Sequence, residues 1–415
     1  MAQLQPLRGT RDLLPEECRK IRHVEDVARR ISALYGFDEI ETPIIESASV
    51  FKRSLGDTSD IVSKEMYEFQ DKNGDAIVLR PEGTAGVVRA FISEGLSQLV
   101  PLKLFYRGPM FRHERPQKGR YRQFYQIGVE LLGVDKPQAD IETIAMGAQI
   151  LRELGLQGST RLCLNTIGDA ESRSVYRDRL VAYLRTREGE LSPESVNRLE
   201  RNPLRILDSK NEGDKRVVAD AAQLKDSLNE HSRKFFDGVQ EGLTALGIEF
   251  VIDPLLVRGL DYYCHTVFEF TTESLGAQNA VLSGGRYDNL VSDMGGPKTP
   301  GVGWGAGVDR LALMLGEIEK PDRPVAVVPL GDEAEREALR ITQELRQVGL
   351  SAEMSYSGNM AKRMKRADKI KARCAVILGA DELAKGIVQV KFLDTGEQRE
   401  TKRSDLVQLL TSTGV

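Results

Sequence analysis

Lys103-Leu-Phe-Tyr-Arg-Gly-Pro-Met-Phe-Arg112 and Tyr121-Arg-Gln-Phe-Tyr-Gln-Ile-Gly-Val-Glu130 are two runs rich in aromatic and branched residues on either side of a polar turn. Two such runs read as the arms of a long antiparallel hairpin, which sets the chain apart from a βαβ winding. Between Arg107 and Arg122, six basic residues (Arg107, Arg112, Arg115, Lys118, Arg120 and Arg122) face one acid, Glu114. Side chains alternate faces along a strand, so the set could offer guanidinium forks to phosphates while Phe111, Tyr121, Phe124 and Tyr125 offer stacking planes. The plainer reading is a solvated turn, as most charge runs are. Aromatics beside the arginines on both arms favour a polyanion site.

Outward from the hairpin, residues 16–35 place Ile21, Val24, Val27, Ala28, Ile31 and Leu34 at helical spacing before Gly36. The run 37–45 is strand-like, and its Pro43, which cannot donate to a ladder, suggests an edge or a junction. Further strands are expected at 76–80, 160–165, 249–252, 267–271 and 280–282, and a helix at 139–154. From about Asp169 to His231 the chain is charged and helix-prone, which fits a helical insertion. Gly301-Val-Gly-Trp-Gly-Ala-Gly307 satisfies a dinucleotide fingerprint in spacing, but Gly295-Gly-Pro-Lys-Thr-Pro300 stands where that motif needs a strand. Read as a strand itself, the segment has one face stripped of side chains, against which a flat ligand such as adenine could lie, with Arg310 following in the next helical turn. Close strand-to-helix packing accounts for the glycines equally well.

With 415 residues the chain is long enough for two or three domains. A net charge of −4 gives no global basic field, so any polyanion must be met locally. Cys18, Cys163, Cys264 and Cys374 lie far apart, and His23, His113, His231 and His265 lack ligand spacing, so no protein-bound metal is expected. The N-terminus lacks the apolar run of a signal peptide and no stretch would span a bilayer, which makes a reduced cytoplasm the expected compartment.

Lys320-Pro-Asp-Arg-Pro324 reads as a linker. Beyond it a strand (325–328), helix (333–347), strand (352–356), basic helix (360–371) and strand (374–378) imply a separate α/β domain with a parallel or mixed sheet. The expected organisation is α+β: a catalytic-type domain at 1–320 containing the insertion at about 169–231, then a domain at 325–415.

Taken together, Arg8-Gly-Thr-Arg-Asp12, the Pro43 region, Leu79-Arg-Pro-Glu-Gly-Thr84, Phe111–Phe124 and Gly305-Ala-Gly-Val-Asp-Arg310 resemble the class II aminoacyl-tRNA synthetases. Leu256-Val-Arg-Gly-Leu-Asp-Tyr-Tyr263 and Ser283-Gly-Gly-Arg-Tyr-Asp288 are similar to the two signatures of the histidyl-tRNA synthetase family. The resemblance covers nearly the whole chain and implies a class II antiparallel-sheet catalytic domain with a C-terminal anticodon-binding domain. It implies histidine activation by ATP to histidyl-adenylate and pyrophosphate, then transfer to the 3′ end of tRNA(His), by a homodimer.

By that resemblance Arg112, Arg258 and Arg310 are catalytic. Glu114 and Phe124 join Arg112 and Arg310 around ATP, with Mg²⁺ entering on its phosphates. Glu82, Thr84, Gln126, Glu130, Arg258, Tyr262 and Tyr263 hold L-histidine, with Glu130 and Tyr263 at the imidazole. Arg115, Gln117, Lys118, Arg120 and Arg122 meet the tRNA. The alternative is a non-catalytic, synthetase-like regulatory subunit of ATP phosphoribosyltransferase. The intact Phe111–Phe124 stretch and ninety-odd residues beyond Pro324 weigh against it, and a nicotinamide dehydrogenase built on 301–307 is weaker still.

Overall fold

The computed structural model describes residues 3–412 except 57–58, 259, 261, 277–279 and 319–321. Gly259 and Asp261 of one signature, and residues 320 and 321 of the expected linker, lie outside the described residues. The chain divides into two compact units, one ending at Glu317 and one beginning at Ile318.

Strands of the first unit are β1 (Asp38–Glu39), β2 (Ile45–Ser47), β3 (Tyr67–Gln70), β4 (Ala76–Leu79), β5 (Leu102–Phe111), β6 (Gln123–Leu132), β7 (Arg161–Thr166), β8 (Val251–Ile252), β9 (Cys264–Thr271), β10 (Ala280–Arg286) and β11 (Gly301–Gly307). Eight of them form one sheet in the order β1-β5-β6-β11-β10-β9-β7-β8. Its interior pairs are antiparallel and only the edge pairs β1·β5 and β7·β8 are parallel. The hairpin pairs Leu102 with Leu132 through Phe111 with Gln123 without a register shift.

The run 37–45 does not form one strand. Asp38–Glu39 edge the large sheet, whereas Ile45–Ser47 enter a separate sheet, β2-β4-β3. Pro43 lies at the crossing, where a residue without an N–H cannot extend a ladder, and Arg80 secures it by donating to the Thr42 carbonyl at 2.7 Å. The strand expected to stop at Leu282 continues to Arg286, because Gly284 and Gly285 allow close approach: a Cβ at 284 would lie 2.1 Å from the Gly303 carbonyl oxygen.

Helices α1 (Pro15–Leu34), α2 (Ala48–Leu55), α3 (Thr84–Ser93) and α4 (Pro137–Glu153) pack around the sheets. The insertion supplies α5 (Ala170–Thr186), α6 (Pro193–Arg201) and α7 (Glu212–Ala219), followed by α8 (Glu230–Ala245), α9 (Leu290–Asp293) and α10 (Val308–Met314). Leu180, Leu184, Leu199 and Val217 of the insertion belong to the same apolar core as Phe51, Phe91 and Tyr287. Burying that surface is what anchors the insertion, at roughly 25 cal/mol per Å² removed from water.

The second unit has β12 (Val325–Pro329), α11 (Asp332–Gln347), β13 (Ala352–Met354), α12 (Met360–Lys369), β14 (Cys374–Leu378), α13 (Ala380–Lys385), β15 (Ile387–Phe392), β16 (Gln398–Lys402) and α14 (Leu406–Ser412). Its sheet runs β13-β12-β14-β15-β16, parallel across β13, β12 and β14 and antiparallel beyond. Ala338, Ile341 and Leu345 of α11 cover one face with Leu406 and Leu410, and Ala367 of α12 covers the other.

Candidate active site

Gly301, Gly303, Gly305 and Gly307 share one face of β11, and four side chains lie over them. A Cβ would stand 2.3 Å from Tyr287 Cε2 at 301, 2.0 Å from Glu130 Oε2 at 303, 2.0 Å from Gln126 Nε2 at 305 and 3.2 Å from Arg310 Cδ at 307. The stripped strip is therefore covered by the protein's own polar groups, a correction to the expectation of a ligand against bare backbone. Register explains it: Gly303 faces Glu130 and Gly307 faces Gln126, so long side chains of β6 fold across their neighbour.

Glu130 is fully buried. Its Oε1 accepts from the Thr84 hydroxyl at 2.6 Å and its Oε2 from the Tyr287 phenol. Burial, only partly offset by Thr84 and Tyr287, pushes this carboxyl up to about 8. Glu82, 4% exposed, accepts the Thr84 and Ala85 N–H groups at 2.6 and 2.8 Å and thereby caps α3. Burial raises it too, against those two bonds and the charge of Arg112. Among the described residues neither acid has an ion-pair partner.

Tyrosines wall this end. Tyr262 stacks obliquely on Tyr263 at 4.6 Å and meets Tyr287 edge-on at 5.7 Å. Tyr106 comes from β5, and a Cβ at Gly83 or Gly128 would strike its ring within 2.1 and 2.3 Å. Burial raises the phenols of Tyr106, Tyr262 and Tyr287 well above their ordinary value. Arg258 pairs with Glu269 and stands 5.7 Å from the Tyr263 ring, while its buried Nε has no hydrogen-bond partner among the described residues. Burial works against its charge, but Glu269 and Tyr263 more than compensate.

At the other end, Arg112 donates to the Pro81 carbonyl at 2.8 Å, lies 5.5 Å from the Phe124 ring and is 3.7 Å from Glu114. Glu114 also takes Arg120 at 2.5 Å. Burial and the neighbouring charge of Arg120 lower Arg310, whose Cγ would lie 3.5 Å from a Cβ on Gly119. Glu65 is raised by burial and then by Glu114. Charge contacts link these groups pairwise: Arg112 and Tyr263 with Glu82, Arg258 with Tyr263, and Arg112 and Arg310 with Glu114.

Of the residues expected at the tRNA, Arg115, Gln117 and Lys118 are exposed at the hairpin tip. Arg120 and Arg122 are instead held by the side chain and backbone carbonyl of Glu114. Arg107 does not join them: it points to the far side of β5 and pairs with Glu39 at 2.8 Å and Glu25 at 3.2 Å. Reading the sequence missed Tyr106, Glu269 and Glu65. Tyr106 was findable, because Leu104 pairs with Glu130 and a side chain two residues on shares its face. Nothing local signals Glu269.

The family model described as histidyl-tRNA synthetase matches residues 9–311, and one described as anticodon binding domain matches 324–413. A curated histidine–tRNA ligase of Rhodospirillum rubrum is 61% identical over 399 residues, covering 96% of each chain. An apo histidyl-tRNA synthetase structure from S. aureus aligns with a TM-score of 0.83 at 34% identity, over 98% of this chain and 99% of that one. A structure described as an ATP phosphoribosyltransferase regulatory subunit/histidyl-tRNA synthetase from Bacillus halodurans C, 24% identical with a TM-score of 0.68 over 92% of this chain and 99% of that one, shows likeness of fold alone.

Proposed function

The chain belongs to the histidyl-tRNA synthetase family, and from that premise we propose how its residues join L-histidine to tRNA(His) at the expense of ATP. It is an aminoacyl-tRNA synthetase with its own anticodon-binding domain. The observation that carries the site assignment is the pair of buried, raised carboxylates, Glu82 and Glu130, without an ion-pair partner among the described residues. Such groups are stabilised by a ligand that brings donors and positive charge. The α-ammonium of histidine supplies them at Glu82 and Thr84, and an imidazole N–H supplies one at Glu130. Tyr263 meets the second ring nitrogen and Gln126 the backbone polar groups. An apolar isostere would leave Glu130 without the donor of the imidazole ring, a steep penalty for a buried carboxylate.

The reaction is in-line attack of the histidine carboxylate on the α-phosphorus, releasing pyrophosphate, followed by transfer of the acyl group to the 3′-terminal adenosine. Neither step needs a protein nucleophile. Arg112 and Arg258 neutralise charge as it moves through the α-phosphate, Phe124 and Arg310 hold adenine between them, and Arg310 reaches the γ-phosphate. A fixed cation aimed at developing charge contributes up to about 3 or 4 kcal/mol of barrier lowering. Glu65 and Glu114, close enough that one raises the other, would hold a Mg²⁺ arriving with ATP, which would neutralise charge on the departing pyrophosphate.

Arg115, Gln117 and Lys118 face the acceptor stem, with Arg120 and Arg122 behind them. We assign the working form to a homodimer. Support comes from the outer face of β2-β4-β3, where Ile45, Leu79 and Tyr67 lie in register beside Ile77 and Phe69, with Ile45 53% and Phe69 44% exposed. Free cysteines suit a cytoplasmic setting. Among the described residues no helix is long and apolar enough to cross a membrane. Pyrophosphate exchange into ATP with each of the twenty amino acids tests the reading: exchange with histidine alone is expected, and exchange with another amino acid, or with none, would overturn it.

A further inference from the structure

We propose that Arg11, together with Asp309, is a positioning residue for the nucleotide end of the pocket: it ties the N-terminal segment, the β5–β6 hairpin and the start of α10 into one brace. Arg8-Gly-Thr-Arg-Asp12 is a signature that the pocket chemistry leaves unused. Its contacts explain its composition. Gly9, at φ 90°, presents its carbonyl to the Arg122 N–H at 2.7 Å, and a Cβ there would lie 2.8 Å from Arg122 Cγ and Cδ. Thr10 closes the turn onto the Leu7 carbonyl at 2.8 Å.

Arg11 then spans three elements. Its guanidinium sits 4.2 Å from the centre of the Tyr121 ring, pairs with Glu17 at the start of α1, and donates to Asp309 Oδ1 at 2.9 Å. Asp309 is 3% exposed, and its other oxygen accepts the Tyr125 N–H at 2.7 Å. The two attachment points adjoin groups assigned to the nucleotide: Tyr125 directly follows Phe124, and Asp309 directly precedes Arg310. A cavity of about 320 Å³ behind the brace is lined by Arg11, Asp12, Cys18, Arg22, Tyr125 and Asp309. The cavity leaves that side of Tyr125 open, so beyond its ladder pairing with Pro109 the strand is fastened there through Asp309 to Arg11. Without Arg11, Asp309 becomes a buried charge lacking its cation, a costly state that relaxes by movement of the helix turn carrying Arg310.

This inference rests on the nucleotide reading above, and its test separates the two. Pyrophosphate exchange is measured for the wild type, Arg11→Ala, Arg11→Lys, Asp309→Asn and the double variant Arg11→Ala/Asp309→Asn. Arg11→Ala is expected to raise the KM for ATP about tenfold or more with the KM for histidine within about twofold, a split that general loosening would not produce. Arg11→Lys, which keeps the charge without the fork, recovers part of the loss. In the double variant the KM for ATP stays within about twofold of Arg11→Ala, because one unit has been broken once. An unchanged KM for ATP in Arg11→Ala, equal rises for both substrates, or additive effects would overturn the brace. Should Arg11→Ala not fold, Tyr121→Leu keeps the ion pair and removes the ring; a rise confined to the KM for ATP supports the brace and none overturns it. Wild-type protein that binds no ATP would instead overturn the nucleotide reading.

Discussion

Two arginines of the large sheet region are paired with carboxylates, and they differ in how fully they are satisfied. Arg286 and Asp140 are both 0% exposed, and all five guanidinium N–H groups are taken up by Asp140, Asp288 and the Val134 and Lys136 carbonyls. Arg258 has Glu269 and Tyr263, keeps 17% of its side chain accessible and, among the described residues, leaves its buried Nε without a partner. The first pair is closed and holds β10 to α4. The second is open, with donor capacity left for a ligand. Both sit in family signatures, so presence in a motif does not distinguish a closed pair from an open one, whereas the count of unspent donors does.

Substitution should separate the pairs most sharply. Arg258→Ala is expected to lower histidine-dependent exchange by roughly 10²- to 10³-fold with little change in Tm, the loss typical of a fixed charge that acts on the transition state. Near-wild-type exchange would sink its role. Arg286→Ala strands Asp140 and should cost about 3–5 kcal/mol of stability, seen in chemical denaturation, whatever happens to the activity of the surviving folded protein. If it left stability unchanged, the contrast between a closed and an open pair would fail.

Glu130→Ala should raise the KM for histidine about ten- to a hundredfold and the KM for ATP far less; equal rises would argue against an imidazole contact. The pH dependence follows with a definite sign. With Glu130 raised to about 8, the free enzyme carries it mostly protonated at neutral pH, while an imidazole N–H prefers the ionised form. The KM for histidine should therefore fall as pH rises toward about 8, by at most tenfold per unit. Glu130→Gln should abolish the slope, and a slope that survived would assign it elsewhere. The smallest effect is expected for Glu269→Gln, which frees Arg258 without removing it: a severalfold loss of exchange, partly restored by Glu269→Asp.

Much of this was legible in residue order. Alternation along 103–112 and 121–130 announced the hairpin, and glycines two apart from 301 to 307 announced a strand with one bare face. What covers that face was not legible, since Tyr287, Glu130, Gln126 and Arg310 arrive from β6, the end of β10 and α10 through tertiary register. The same limit hid Arg11 and Asp309, which are 298 residues apart, and the assignment of Glu39 and Glu46 to different sheets. It also hid the β15–β16 hairpin: Ile387–Phe392 alternates weakly and Gln398–Lys402 is an exposed polar edge. Short-range periodicity reports which face is buried; it carries no record of which distant side chain will lie upon it.

A crystal structure of the protein with bound L-histidine tests the central assignment most directly. The account predicts an imidazole nitrogen within hydrogen-bond distance of the Glu130 carboxylate, the other toward the Tyr263 phenol, and the α-ammonium against Glu82 and Thr84. Histidine bound elsewhere, or in this pocket with its ring turned away from Glu130, would contradict it.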